Sequence, residues 1–104
     1  MKASKQKKLE KAGWKVGSAD DFLNLSPEEM KYIEMKLALC ESVKRKRIQK
    51  HLSQIELAKI IASSQSRVAK IEAGDATVSI DLVMKSLLTL GLSKKELAQV
   101  IAKS

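Results

Sequence analysis

"SQIELAKIIASSQSRVAKIEAGD", residues 53–75, packs two short helical patterns around a three-residue gap. Ser53 is placed to cap "QIELAKII", in which Leu57, Ala58 and Ile61 recur at helical spacing and face inward. Ser64 caps a second helix, predicted over Gln65 to Ala73, and Gly74 suits the left-handed conformation that closes it. At about 100° per residue, Val68 and Ile71 fall on the inner side of that helix. Ser66, Ala69, Lys70 and Ala73 point roughly the other way, flanked by Gln65 and Arg67. A solvated helix face more often carries Glu and Lys pairs. A face of serine and alanine invites close approach by something large.

Two short amphipathic helices joined by only Ala62, Ser63 and Ser64 form the arrangement of a helix-turn-helix motif, spanning 54–73. Upstream, "SPEE" at 26–29 marks a strong helix start. Ser26 caps, Pro27 suits the first helical position, Glu29 completes a capping box, and Glu28 meets the positive helix end. The helix is expected to run to about Lys50, roughly 33 Å at 1.5 Å per residue. Met30, Ile33, Leu37 and Cys40 line one stripe of it, and Tyr32, Met35, Leu39 and Val43 widen the stripe. Such breadth implies burial by both the N-terminal segment and the rest of the domain, or else a dimer or partner interface.

Downstream, Ser79 caps "IDLVMKSLLTL", with Asp81 in its first turn and Gly91 at its end. Ser93 and Glu96 form a capping box for "KKELAQVIAK", whose Leu97, Val100 and Ile101 face one way. That face suits dimerisation or packing against the fourth helix. No alternating strand pattern occurs, so the class is all-α: a small five-helix domain over 26–104. It follows a basic arm and an irregular apolar segment over 1–25, where Trp14, Phe22 and Leu23 are the expected anchors.

A chain of 104 residues makes one domain. Twenty Lys and Arg against 12 acids give a formal charge of +8 and a pI near 9.7, which favours a polyanionic partner. From Lys44 to Lys70 eight cations face one acid, Glu56, so the basic region surrounds the paired helices. Only Trp14, Phe22 and Tyr32 are aromatic, too few for a platform that stacks single-stranded bases. Duplex RNA is disfavoured because its major groove is too deep and narrow for a helix. The single cysteine, Cys40, excludes an intrachain disulfide framework and fits a reducing compartment and a core position. With no apolar run of transmembrane length and no signal peptide, the expected location is cytoplasmic, without membrane contact. His51 is the only histidine, and no nucleophile, metal-ligand or phosphate-loop spacing surrounds it. A binding protein without catalytic residues, metal or cofactor is therefore expected.

Double-stranded DNA is the partner that a helix pair of this shape fits. The first helix crosses the phosphate backbone and the second enters the major groove with its N-terminal residues on base edges. Gln65 is suited to paired hydrogen bonds with adenine and Arg67 to guanine or a phosphate, while Ser66 touches bases without standing the helix off. Gln54, Ser64 and Lys70 are the expected phosphate contacts, and Lys44 and Arg45, with Lys46 and Arg47 beside them, add attraction for the backbone.

The residues Gln54, Ala58, "SQS" at 64–66, Val68 and "IEAG" at 71–74, followed by "VSIDLVMKSLLTLG", resemble the XRE helix-turn-helix family of phage repressors and bacterial regulators. The likeness covers about residues 36–91. "GWKVGSADDFLNLSPEEMKYIEMKLAL" extends it toward the HigA group of antitoxins, whose members carry a similar N-terminal extension. The resemblance implies a five-helix repressor-like domain, a homodimer on a palindromic operator and repression of its own promoter. It gives Gln54 a phosphate contact and brings Gln65, Ser66 and Arg67 to the bases. The antitoxin likeness implies a toxin protein held by the N-terminal half; it predicts that residues 14–43 expose apolar groups without that partner. There are departures: Ala62 stands at the turn position where the family usually has glycine, Ser63 replaces an apolar residue, and Val78 stands where proline is frequent. A left-handed Ala62 is expected to cost about 1 kcal/mol.

Overall fold

Serine opens every helix among the described residues. The computed structural model describes residues 25–104, which form five helices and, among the described residues, no strand. They are α1 (Pro27–Gln49), α2 (Gln54–Ile60), α3 (Gln65–Ala73), α4 (Ile80–Thr89) and α5 (Lys94–Lys103). Ser26, Ser53, Ser64, Ser79 and Ser93 each accept a backbone N–H from three residues on, at 3.0–3.2 Å. At Ser26, Ser53 and Ser93 a glutamate reaches back to complete the capping box. Each cap satisfies donors that the helix itself leaves unpaired, worth about 1 kcal/mol. The expectations for the basic arm and for Trp14, Phe22 and Leu23 lie outside the described residues.

The first four helices end in one way as well. At each C-terminus one residue turns left-handed, its N–H and the next N–H folding back onto the last carbonyls: His51 and Leu52, Ala62 and Ser63, Gly74 and Asp75, Gly91 and Leu92. Two of the four pivots carry a side chain, His51 at φ 56° and Ala62 at φ 52°. Gly74 has a second reason to be glycine, because a Cβ there would stand 2.6 Å from Leu37 Cδ2. No such contact binds Ala62, which is exposed. Ala62→Gly is therefore expected to stabilise the domain by about 0.5–1 kcal/mol, the relief of left-handed strain exceeding the added chain entropy. In a thermal melt that is a rise of roughly 2–8 °C; a fall would show that the turn is unstrained.

Leu39, Cys40 and Val43 of α1 meet Leu57 and Ala58 of α2, Val68 and Ile71 of α3, Val83 and Leu87 of α4 and Leu97 of α5 in one core. The long α1 is its spine, packing on α3, α4 and α5. Two sequence expectations change, and one buried residue falls outside them. Tyr32 stays 44% exposed. Lys36, a charged residue that apolar periodicity passes over, is buried and donates from Nζ to the Ala76 carbonyl at 3.3 Å. The apolar face of α5 is spent on this core, Leu97 buried and Val100 and Ile101 packed beside it, and α5 lies chiefly on α1 rather than on α4.

Cys40 is fully buried, and desolvation pushes its thiol from 9.0 up to about 11. The unfolded chain gives up this proton near pH 9 while the folded domain keeps it. Stability is unaffected below about pH 9 and falls as pH rises toward 11, by about 2–3 kcal/mol. Urea unfolding at pH 7, 9 and 10.5 checks this. The alkaline loss is expected to be absent from Cys40→Ala, and an equal loss in that variant would assign it elsewhere.

Candidate nucleic-acid interface

Helices α2 and α3 cross closely because Ala58 at the contact is small and buried, and because Leu57, Val68 and Ile71 anchor both helices from below. This leaves the first turn of α3 outermost. Gln65, Ser66 and Arg67 are all exposed there, and Lys70 follows one turn later on the same exposed side. The only acid of α3, Glu72, shares the flank of Gln65 but is covered: its side chain is 4% exposed and its carboxylate accepts from Arg47 Nε at 2.6 Å and Arg47 Nη2 at 3.0 Å. The outward face of α3 thus offers an amide, hydroxyl and guanidinium with no exposed negative charge.

The predicted phosphate contacts separate into groups. Ser64 Oγ takes the Arg67 N–H at 3.2 Å and lies 3.2 Å from Ser66 Oγ, so it holds the α3 N-terminus whose free amides point outward. Gln54 is half-buried; its Nε2 donates to Glu72 Oε1 at 3.2 Å and its Oε1 accepts from Gln65 Nε2 at 2.7 Å. One amide N–H of Gln54 remains for a phosphate. Lys44 and Arg45 are exposed but not side by side on one surface. By helical rotation Lys44 lies about 60° from Arg47, whereas Arg45 lies about 160° from it. Arg45 pairs with Glu41 at 3.7 Å and lines a groove with Leu92, Gln99 and Lys103 between α1 and α5. The structure therefore does not bring Arg45 to the α2–α3 surface. Arg47 is only partly exposed and its guanidinium is committed to internal partners. Its Nη1 also donates to the Leu52 carbonyl at 2.7 Å, and the pairing with Glu72 raises the guanidinium pKa further.

Sequence reasoning passed over Glu72. A signal was present: Gln65 and Glu72 are seven residues apart on α3, hence on one side of it, and both meet Gln54. Among the described residues no group of three or more His, Cys, Asp or Glu is placed to hold a metal, and no helix is long and apolar enough to cross a membrane. His51 is exposed in the turn after α1.

A family model described as helix-turn-helix matches residues 43–97. The match takes in the end of α1, all of α2, α3 and α4, and the start of α5. No curated protein and no solved structure matches the chain.

Proposed function

The chain belongs to the XRE-type helix-turn-helix family of DNA-binding transcription regulators, and on that premise we propose that it is a cytoplasmic, sequence-specific repressor of its own promoter, working as a homodimer. The observation that carries the reading is the first turn of α3, where Gln65, Ser66 and Arg67 stand exposed while Glu72 is covered and neutralised by Arg47. In this reading α3 enters the major groove, Gln65 and Arg67 read base edges, and Ser66 keeps the approach close. The free amides at the starts of α2 and α3, with Gln54, Ser64, Lys70 and Lys44, hold the phosphates. It is a binding module, with no reaction of its own.

The test is a titration against the duplex upstream of its own coding frame, with scrambled duplex as competitor, at two salt concentrations. Selective binding that survives the higher salt is expected. Equal binding to both duplexes, vanishing with salt, would contradict self-repression. Lys70→Gln and Lys44→Gln are each expected to weaken all duplexes alike and to reduce the slope of log K against log salt by about one. Arg45→Gln, on the far flank of α1, should change the slope less. An equal effect of Arg45 would mean that the backbone contact extends around α1.

A second reading, an antitoxin that also holds a toxin protein, is favoured by the start of α1. Ile33 gathers Leu25, Met30 and Leu37 into an apolar cluster separate from the main core, and Tyr32 is half-exposed beside it. Co-purification with the product of a neighbouring reading frame, lost in Tyr32→Glu, would support it; co-purification unchanged by that variant would place the contact elsewhere.

A further inference from the structure

Helix α4 carries more apolar side chains than its core side can hold. Six of its ten residues are apolar: Ile80, Leu82, Val83, Met84, Leu87 and Leu88. The core side is filled by Val83, Ser86 and Leu87, with Leu90 following, and it packs chiefly on α1. At about 100° per residue Met84 and Leu88 lie beyond that side, and Ile80, Met84 and Leu88 recur every fourth residue as one stripe. Leu88, at the outer end of the stripe, is 51% exposed. A helix that is apolar around most of its circumference needs a neighbour on more than one side.

The polar groups of α4 show what kind of neighbour fits. Ser86 and Thr89 turn their hydroxyls back onto the carbonyls of Leu82 and Lys85, each at 2.7 Å. That leaves Asp81 and Lys85, both exposed and one turn apart along one edge of the stripe. Neither forms an ion pair among the described residues. An acid and a base four residues apart make an edge that is complementary to itself when reversed. A two-fold interface, in which both sides use the same patch, has this property.

We infer that a second copy of this chain covers the outer face of α4, the two helices lying antiparallel about a two-fold axis beside Met84. The inference rests on the homodimer reading and gives that dimer its surface, since the apolar face of α5 is spent on the core. Reversal sets Ile80 of one copy against Leu88 of the other, and Met84 against Met84. It also keeps both charged edges on the same side of the interface. Asp81 of one copy then lies within about 3 Å, along the helix axis, of Lys85 of the other, and the symmetry makes this pair twice.

The test is sedimentation of the full-length chain across a range of concentrations, free and on duplex, with thermal melting to establish that each variant is folded. The wild-type protein is expected to dimerise. Leu88→Lys places two charges in the interface and should weaken dimerisation by about a hundred-fold without lowering the melting temperature. Asp81→Lys and Lys85→Asp each set like charges opposite one another and should each weaken it by about ten-fold or more. Mixed together, these two single variants should form one-to-one dimers with the affinity of the wild type, which no effect within one chain would produce. A wild-type dimer that survives Leu88→Lys, or a mixture no tighter than its components, would overturn the α4 surface and leave the homodimer reading standing. A wild-type chain that stays monomeric both free and on duplex would overturn both.

Discussion

Glu72→Ala is expected to bring the domain to the edge of unfolding. The substitution removes the carboxylate that, among the described residues, partners Arg47, whose side chain is 13% exposed, and leaves a largely covered guanidinium with the Leu52 carbonyl as its remaining acceptor there. Breaking a buried pair from one side costs about 3–5 kcal/mol. Small domains have only about 5–15 kcal/mol in all. The loss is geometric too, because this pair joins the last turn of α1 to the last turn of α3 and so sets how α3 lies across the domain. Replacing both partners by methionine should recover most of the stability, since no charge is then left unpaired. Urea unfolding of the three proteins checks this. A Glu72→Ala midpoint close to that of the wild type would show that water reaches Arg47, and the pair would count as a surface contact worth about 1 kcal/mol or less.

The second large effect concerns binding and leaves the fold intact. Gln65→Ala and Arg67→Ala remove exposed side chains from the first turn of α3 and touch nothing in the core. Each should cost about 1–3 kcal/mol of discrimination at its own base pair, roughly 5- to 150-fold, and the double variant should bind its selected and scrambled duplexes almost alike. Melting temperatures should stay near the wild-type value. Unchanged discrimination in the double variant would remove both residues from base reading, whatever the affinity.

How far the sequence predicts this outcome depends on which interaction decides each feature. Helix starts were legible because they are local: a serine and the amide three residues on suffice, and all five serines cap as expected. The left-handed turn at Ala62, by contrast, was expected only through the family resemblance, which puts a glycine at that position. The run "KRKR" at 44–47 was not legible, because four consecutive residues wind around a helix and only a partner far along the chain tells them apart. Glu72, 25 residues later, draws Arg47 inward; Glu41 and α5 take Arg45 to another flank. Lys36 is a like case, its charge directed to a carbonyl 40 residues away. For α5, spacing showed that Leu97, Val100 and Ile101 share a face but could not name the surface that receives it. The exposed residues of α3 were legible as a set, since a face without acids is a property of the sequence. The link that binds Gln65 through Gln54 to Glu72 needs three dimensions.

The most direct measurement is the change in backbone amide shifts of isotope-labelled protein as the upstream duplex is added. Groove insertion of α3 predicts that the largest changes cluster at Gln54 and at 64–67 and 70, with the α1–α5 groove around Gln99 and Lys103 little affected. Changes concentrated in that groove, with α3 unmoved, would contradict the use of α3 as the reading helix.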